Sequence, residues 1–263
     1  MIDLHSHVLP GLDDGAQDID TSILMLDMAV KAGTTHIFAT PHYIKDDLEN
    51  NSGLVRNTIN TVNEIIRSKG IDIKVMSGNE VFICPELPFL VSTGEVCTLN
   101  DSSYVLVELP MLDIPLYTKD VIFNLKLKGY TPIIAHPERN KKIYSNLNIV
   151  YDLVQCGALM QINSTSINGM FGSEIKKAAF ELISHNLAHF VASDAHTLRG
   201  RSPKLSKCRE QVAERFGKDI ADMLFVENGR SVIENKQIII REPKRIKNKN
   251  NFFVNSLMKI LPW

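Results

Sequence analysis

Short apolar segments alternate with helical patterns along most of this chain. Seven segments are predicted to be strands because they are short, apolar and bounded by turn residues: MIDLHSHV, HIFAT, IDIKVMSG, YVLVELP, TPIIAHPER, LMQIN and AHFVASDAH. Parallel strands need long crossover connections, and the intervening helices supply them, so the order predicts an α/β fold. The number of strands favours a closed or nearly closed seven-stranded (β/α)7 barrel similar to a TIM barrel, with a doubly wound open sheet as the alternative.

Histidine and carboxylate side chains are concentrated at the ends of these predicted strands. Alternate side chains of a strand share a face, so the first strand presents two imidazoles together. Eight residues of this kind lie at or just beyond C-terminal strand ends: His5, His7, His42, Glu80, Glu108, His136, Asp194 and His196. Barrel enzymes place their active sites on that face, and imidazole with carboxylate suits divalent ions. The pattern predicts a multi-metal site, to which the loop carrying Asp13 and Asp14 can add a carboxylate.

Other polar residues differ in position from this set. His36, His185 and His189 lie at strand starts or at a helix end, so we predict structural roles for them. Arg139 and Arg201 flank the strand-end histidines, and a guanidinium suits bidentate binding of phosphate. The alternative for each arginine is an exposed loop residue.

Charge is unevenly distributed along the sequence. The net charge is −1, but residues 241–263 carry six basic residues and one acidic residue, so the remaining 240 residues sum to −6. An acidic body argues against a nucleic-acid partner. We therefore divide the chain into a body of residues 1–240 and a tail of residues 241–263. No targeting segment or membrane span is recognisable and the cysteines are scattered singly, so a cytoplasmic protein is expected.

The tail combines a basic stretch, RIKNKNN, with the apolar stretch FFVNSLMKILPW. On a helix, Phe253, Leu257, Ile260 and Leu261 would share one face. This order is typical of an interfacial anchor, which predicts weak contact with an anionic membrane surface. The alternative is a tail that folds back over apolar surface of the body.

The chain resembles the polymerase and histidinol phosphatase (PHP) superfamily of metal-dependent phosphoesterases through HSH, TPH, Glu80, Glu108, AHPER and SDAH. Within it, the chain is most similar to the manganese-dependent protein tyrosine phosphatases of Gram-positive capsule and exopolysaccharide clusters. Four longer segments carry this resemblance: LPGLDDGA, ATPHY, LKGYTPIIAHPERN and HFVASDAH. They are spread over residues 1–240 and are long enough to be specific.

The resemblance implies a distorted seven-stranded barrel and a centre of three metal ions. The first ion would be held by His5, His7, Glu80 and Asp194, the second by Glu80, Glu108 and His136, and the third by Asp14, His42 and His196. Mn²⁺ is the implied metal, and Zn²⁺, Fe²⁺ and Mg²⁺ remain open. Asp14, Arg139 and Arg201 are expected to take part in catalysis.

The implied activity is hydrolysis of phosphotyrosine, in which a metal-activated hydroxide attacks phosphorus in line. The expected substrate is the tyrosine-rich C-terminal tail of an autophosphorylating bacterial kinase that controls capsule or exopolysaccharide synthesis. A small-molecule phosphatase of the histidinol-phosphatase type, a PHP nuclease and a non-catalytic phosphotyrosine-binding regulator remain as alternatives. A thiol-dependent phosphatase is excluded, because no cysteine is followed by arginine six positions later.

Overall fold

Ten short strands and eleven α-helices are present in the computed structural model, which describes residues 1–247. The strands are β1 (Ile2–Ser6), β2 (His36–Ala39), β3 (His42–Ile44), β4 (Leu48–Glu49), β5 (Lys74–Ser77), β6 (Glu80–Phe82), β7 (Tyr104–Glu108), β8 (Thr131–Ala135), β9 (Leu159–Asn163) and β10 (Phe190–Ala192). The helices are α1 (Ile19–Lys31), α2 (Ser52–Ser68), α3 (Leu87–Ser92), α4 (Thr118–Leu127), α5 (Lys141–Ser145), α6 (Asn148–Gln155), α7 (Ser164–Asn168), α8 (Ser173–Ser184), α9 (Ser206–Phe216), α10 (Lys218–Asp222) and α11 (Asn228–Ile233).

The strands form two sheets. One has three parallel strands in the order β1-β2-β5, and the other has seven in the order β10-β9-β8-β7-β6-β3-β4. Only the pairing of β3 with β4 is antiparallel within the described residues. The sheets meet beside β1, where the Asp194 amide donates to the His5 carbonyl at 2.9 Å and the His7 amide donates to the Ala195 carbonyl at 2.8 Å. The predicted α/β class is confirmed, whereas the seven-stranded barrel remains a prediction.

Two strand predictions are corrected by bends in the chain. The predicted strand IDIKVMSG stops at Ser77, and the chain resumes as β6, so Glu80 lies within a strand and not after one. Gly78 lies at this break and is closely packed, since a Cβ there would lie 2.7 Å from Cδ2 of Leu99. No strand is predicted between HIFAT and IDIKVMSG, but β3 and β4 form a hairpin there. That hairpin is too short and polar for apolar alternation to reveal it.

Helix α2 illustrates how the helices attach to the sheets. Its N-cap Asn51 accepts a hydrogen bond from the Leu54 amide at 3.0 Å, and its apolar residues recur every three to four positions. The buried face packs near Val75 of β5 and consists of Val55, Ile59, Val62 and Ile66. Each such side chain contributes about 1.5–3 kcal/mol when fully buried.

The beginning of the predicted tail contacts the body. The Lys244 amide donates to the His185 carbonyl at 2.9 Å, and Asn148 donates to the carbonyl of Ile246 at 2.9 Å. The apolar stretch that was predicted to contact a membrane lies outside the described residues. The domain boundary at residue 240 stays a prediction. Within residues 1–247, no helix is both long and apolar enough to cross a membrane.

His189 gives the fold a pH dependence that can be measured. The side chain is 4% exposed and accepts a hydrogen bond from the Met160 amide at its Nδ1, and burial lowers its pKa to about 4. An unfolded histidine has a pKa of about 6.5, so the unfolded state gains a proton first as the pH falls. We expect about 2–3 kcal/mol of stability from this residue to be lost between pH 6.5 and 4.5.

The measurement is urea unfolding in chelator over this pH range for the wild type and for His189→Asn, whose side-chain oxygen can still accept the Met160 amide. The variant should lose less stability on acidification than the wild type. Parallel curves for the two proteins would show that His189 does not cause the loss.

Candidate metal centre

The predicted ligand residues converge at one end of the strands. Their nitrogen and oxygen atoms form three groups, in each of which all atoms lie within 4.8 Å of one another: His5, His7, Glu80 and Asp194; His7, Asp14, His42 and His196; and His42, Glu80 and Glu108. His136 contacts the last of these groups through Glu80. The structure thus brings together every residue that the sequence analysis proposed as a ligand.

The first group is fully enclosed. His5 Nε2 lies 3.1 Å from Oε2 of Glu80 and 3.4 Å from Oδ1 of Asp194, and all three residues are at most 1% exposed. His7 Nε2 lies 3.1 Å from His5 Nε2 and 3.2 Å from the same glutamate oxygen. Two imidazole nitrogens and two carboxylate oxygens therefore face one small volume, which is the arrangement that a divalent cation requires.

Glu80 also belongs to the group of His42, Glu80 and Glu108. Its Oε1 lies 2.9 Å from Nε2 of His136, and that nitrogen lies 3.7 Å from Oε1 of Glu108. His42 Nδ1 is 3.1 Å from Oε2 of Glu80 and 3.8 Å from Oε2 of Glu108. The sequence assigned His42 to the third ion alone, but its two ring nitrogens face two different groups.

The group of His7, Asp14, His42 and His196 lies at the solvent-exposed mouth of the site. Asp14 Oδ1 is 3.2 Å from Nε2 of His196 and 3.5 Å from Nε2 of His42. The Asp14 side chain is 64% exposed, whereas that of Glu80 is 1% exposed. A substrate can therefore approach the ligands from the side of Asp14.

The loop after β1 places its two aspartates differently. Asp13 Oδ2 lies 2.6 Å from His7 Nδ1 and accepts the His42 amide at 3.0 Å, so Asp13 orients two ligand residues. Gly15 is required in this loop because a Cβ there would collide with the backbone of His7. The sequence indicated a carboxylate from this loop, and the structure gives Asp14 to the ligand set and Asp13 to its support.

Two ligand residues have strained backbones. His136 has φ +32° and Asp194 has φ +50°, and neither is glycine. Such left-handed conformations cost about 1–3 kcal/mol each and persist where the surroundings enforce them. His136 directly follows β8 and Asp194 lies two residues after β10, so the left-handed backbone turns each side chain toward the other candidate ligands.

Asp194 also connects the ligands with both arginines. Its Oδ2 accepts hydrogen bonds from Arg139 at 3.0 Å and from Arg201 at 2.8 Å. The Arg139 guanidinium lies over the Phe171 ring, with Cζ 4.6 Å from the ring centroid. The arginine side chains are 16% and 26% exposed, so the predicted phosphate-binding residues lie at the edge of the site, accessible to a ligand.

The charges of the centre shift the pKa values of its carboxyl groups. Burial opposes ionisation of Glu80, but the charge of His5 and the hydrogen bond from His136 hold the pKa of Glu80 well below its usual range. Burial and the neighbouring charge of Glu80 raise the pKa of Glu108 to about 7. The ionised form of Glu80 is thus stabilised by imidazoles, whereas the ionised form of Glu108 lacks enough positive charge beside it.

Several buried atoms of the centre have no hydrogen-bond partner among the described residues. They are Oε2 of Glu80, Oδ1 of Asp194, Nδ1 of His42 and Nε2 of His196. Buried polar atoms are costly unless they are paired or bind a metal. Imidazole and carboxylate ligands without thiolate suit Mn²⁺, Fe²⁺ or Zn²⁺. The residues present therefore fit divalent metal ions.

Sequence reasoning missed two polar residues next to the centre, Gln161 and Asn163. Both lie in β9 and are 0% exposed. The available signal was a pair of amides two positions apart in the apolar strand LMQIN.

The three histidines predicted to be structural lie outside the ligand groups. His189 is buried against Met160, while His36 and His185 hydrogen-bond to adjacent side chains.

Comparison with known proteins places this site in a family. Residues 1–234 match the family model described as capsular polysaccharide synthesis, CpsB/CapC. The chain belongs to the CpsB/CapC family. The membership confirms the resemblance to capsule-cluster phosphatases that the motifs predicted.

The similarity to known proteins extends over almost the whole chain. Tyrosine-protein phosphatase YwqE from Bacillus subtilis is 37% identical over 252 residues, covering 96% of this chain and 99% of that protein. Putative tyrosine-protein phosphatase CapC from Staphylococcus aureus is 33% identical over 254 residues, with 96% and 99% coverage. A solved structure reported for YwqE from B. subtilis and CpsB from Streptococcus pneumoniae, described as unique metal-dependent tyrosine phosphatases, superposes with TM-score 0.91 and 37% identity. That superposition covers 94% of this chain and all of the other.

His136 provides a test of the metal centre. We expect His136→Ala to weaken metal binding by more than the roughly 10- to 100-fold cost of losing an outer-sphere partner, because a direct ligand is removed. Titration with Mn²⁺ and metal analysis give the affinity and stoichiometry, and circular dichroism checks the fold. His185→Ala is the matched control, because His185 lies at the end of α8 outside the ligand groups. Equal affinity and stoichiometry in the two variants would remove His136 from the centre.

Proposed function

We propose that this chain is a metal-dependent protein tyrosine phosphatase that acts in capsule or exopolysaccharide synthesis. The observation that carries the proposal is the convergence of five histidines and four carboxylates at one end of the strands. The chain also matches YwqE, a tyrosine phosphatase, over 96% of its length. The family and the site therefore support the same chemistry.

The proposed cofactor is Mn²⁺, with three ions held by the sets that the resemblance implied. Their ligands would be His5, His7, Glu80 and Asp194; Glu80, Glu108 and His136; and Asp14, His42 and His196. When bound, such ions supply activated water for in-line attack on phosphorus and neutralise charge on the phosphoryl oxygens. Zn²⁺, Fe²⁺ and Mg²⁺ are the alternatives, since this ligand chemistry accepts each of them.

Arg139 and Arg201 bind the phosphoryl group in this proposal. Each guanidinium has five N–H donors, and one donor of each is engaged by Asp194 Oδ2. The remaining donors are free to contact phosphoryl oxygens without breaking that contact. Because Asp194 holds both side chains before substrate arrives, little reorganisation is needed as charge develops in the transition state.

Protonation of the leaving group is less demanding for tyrosine than for serine. A phenol has a pKa of about 10, so its oxygen departs more readily than an alkoxide. The exposed carboxylate Asp14 is a poor proton donor, because the His196 ring, with Nε2 3.2 Å from Oδ1, and the nearby imidazoles hold the pKa of Asp14 below its usual range. A site with this composition is therefore suited to an aryl phosphate.

The proposed partner is a tyrosine-phosphorylated protein, in particular the tyrosine-rich C-terminal tail of a bacterial tyrosine kinase. The description of the family as capsular polysaccharide synthesis and the names of its relatives support a partner in that process. An extended tail can reach the site mouth, which Asp14 marks by its exposure. The choice of a tyrosine kinase as the substrate rests on the family resemblance.

The two sheets are proposed to act together as the distorted seven-stranded barrel. Strand β3 follows β2 after two residues and β6 follows β5 after two residues, so each pair serves as one bent barrel strand. The hydrogen bonds between β1 and residues 194–195 connect the remaining edge. In this arrangement the C-terminal strand ends surround the ligands, as they do in barrel enzymes.

Removing an arginine should slow hydrolysis without removing the metal. Arg139→Ala and Arg201→Ala are each expected to cost about 2–4 kcal/mol of transition-state stabilisation, which is roughly a 30- to 1,000-fold loss in kcat/KM. Steady-state hydrolysis of a phosphotyrosine peptide by Mn²⁺-loaded protein measures the loss. Arg215→Ala is a matched control, because Arg215 also lies over a phenylalanine ring, 4.4 Å from the centroid of Phe180, but does not contact Asp194. Unchanged kcat/KM in both site variants would exclude these arginines from phosphate binding.

Substrate comparison tests the proposed activity. We expect kcat/KM for a phosphotyrosine peptide from a kinase tail to exceed that for the matching phosphoserine peptide and for histidinol phosphate, because the phenolate is the better leaving group. Single-stranded DNA should not be cleaved, and His136→Ala should abolish phosphate release. Preference for histidinol phosphate would favour a small-molecule phosphatase, and DNA cleavage would favour a nuclease. Tight peptide binding without phosphate release would indicate a regulator.

A further inference from the structure

Two buried amides on β9 link two metal-ligand residues that belong to distant parts of the chain. His5 Nδ1 lies 2.9 Å from Oε1 of Gln161, Gln161 Nε2 donates to Oδ1 of Asn163 at 2.9 Å, and Asn163 Nδ2 donates to Oδ2 of Asp194 at 2.6 Å. None of these four residues is more than 1% exposed. Because Gln161 and Asn163 are two positions apart on one strand, their side chains share a face.

The direction of each hydrogen bond in this series of four side chains follows from Asp194, at one end of the series. The ionised carboxylate of Asp194 can only accept, so Asn163 must donate its NH₂ group there and keep its oxygen as an acceptor. Gln161 must then donate its own NH₂ group to Asn163, which leaves the Gln161 oxygen facing His5. His5 must therefore carry a proton on Nδ1, so Nε2, which faces the ligand group, is the nitrogen that can bind a metal ion.

We propose that Gln161 and Asn163 are positioning residues that fix the tautomer of His5 and the orientation of Asp194 for metal binding. The inference rests on the proposed metal centre and assigns to β9 a role that its apolar sequence pattern did not suggest. Ligand histidines generally donate their second nitrogen to a partner that fixes the ring. Here one continuous pair of amides supports a histidine ligand and a carboxylate ligand at the same time.

The carboxylate of Asp194 is divided by this arrangement. Its Oδ2 accepts from Asn163, Arg139 and Arg201, whereas Oδ1 has no hydrogen-bond partner among the described residues and lies 3.4 Å from Nε2 of His5. Rotation of the carboxylate would lose the three donated hydrogen bonds. Asn163 contributes the donor on the enclosed side, so it keeps Oδ1 directed toward the ligand group.

The groups that orient the two histidines differ in charge. His7 is oriented by the carboxylate of Asp13, whose side chain is 1% exposed, whereas His5 is oriented by the neutral amide of Gln161. Glu80 and Asp194 already place two buried carboxylates beside His5, and burying further charge is costly unless it is paired. Neutral amides accept the His5 proton and donate to Asp194 without adding charge. A simple role in satisfying buried polar groups predicts a loss of stability alone, so metal affinity is the quantity that distinguishes the two roles.

The test compares Gln161→Met and Asn163→Leu with the wild type by titration of metal-free protein with Mn²⁺. We expect Mn²⁺ affinity to fall about 10- to 100-fold in each variant, the usual effect of removing an outer partner of a metal ligand. Asn228→Leu is the control, because Asn228 is also a buried amide, donating to the His189 carbonyl at 2.7 Å, away from the ligands. It should lose stability and keep its Mn²⁺ affinity.

The double variant tests whether the two amides act as one unit. If they do, its loss of affinity should be close to that of a single variant, because residues in one network are not additive. Additive losses of Mn²⁺ affinity would show that Gln161 and Asn163 do not act as one unit. Unchanged affinity in Gln161→Met, or a loss equal to that of Asn228→Leu, would overturn the positioning role.

A measurement on the wild type avoids dependence on variants that fail to fold. Proton–nitrogen correlation spectra of metal-free protein should show a proton on Nδ1 of His5, with the signal assigned by its change in Gln161→Met. A His5 without a proton on Nδ1 would overturn the inference. A wild type that binds no Mn²⁺ would overturn the metal centre and this inference together, whereas normal wild-type binding with unaffected variants would overturn this inference alone.

Discussion

The site depends on a buried carboxylate, Glu80, that four imidazoles surround. Its Oε2 lies 3.1–3.2 Å from nitrogens of His5, His7 and His42, and its Oε1 lies 2.9 Å from His136. An isolated carboxylate could not remain ionised at 1% exposure, because desolvation would raise its pKa. The imidazoles offset that cost in the metal-free protein, and divalent ions would do so more strongly. Because both oxygens are used, Glu80 joins the ligand groups into one centre.

Parallel pairing places His42 beside Glu80 at the junction of the two sheets. The chain leaves β2 at Ala39 and resumes as β3 at His42, and it leaves β5 at Ser77 and resumes as β6 at Glu80. The register is the same on both sides of these breaks, since Ala39 pairs with Ser77 and His42 pairs with Glu80. The two breaks are connected, because the Pro41 carbonyl accepts hydrogen bonds from the Glu80 amide at 3.2 Å and from Asn79 at 3.2 Å. One continuous register therefore brings the histidine and the glutamate together where the strands pass from one sheet to the other.

The sequence was sufficient to propose the ligand residues and to expect them at one end of the strands, because strand ends can be located from apolar runs and the residues just beyond them have the chemistry of metal ligands. It was not sufficient for the supporting residues. Gln161 contacts a histidine 156 positions away, and no local pattern reveals that partner. Asp13 and Asp14 are adjacent and chemically equal, so only the folded loop distinguishes the residue that orients His7 from the residue that faces His196. The short β3–β4 hairpin was missed because pairing, and not apolar periodicity, defines it.

Asp194 would make the proposed metal binding and the proposed phosphate binding interdependent. One oxygen faces the enclosed ligand group and the other holds Arg139 and Arg201, so a single carboxylate fixes the distance between the two halves of the site. Phe171 limits the movement of Arg139 from the outer side, with its ring 4.6 Å from the guanidinium carbon. A phosphoryl group that contacts the arginines is consequently held next to the ligands before any side chain moves. Preorganisation of this kind favours the transition state, because the donors are already directed toward the position where charge develops.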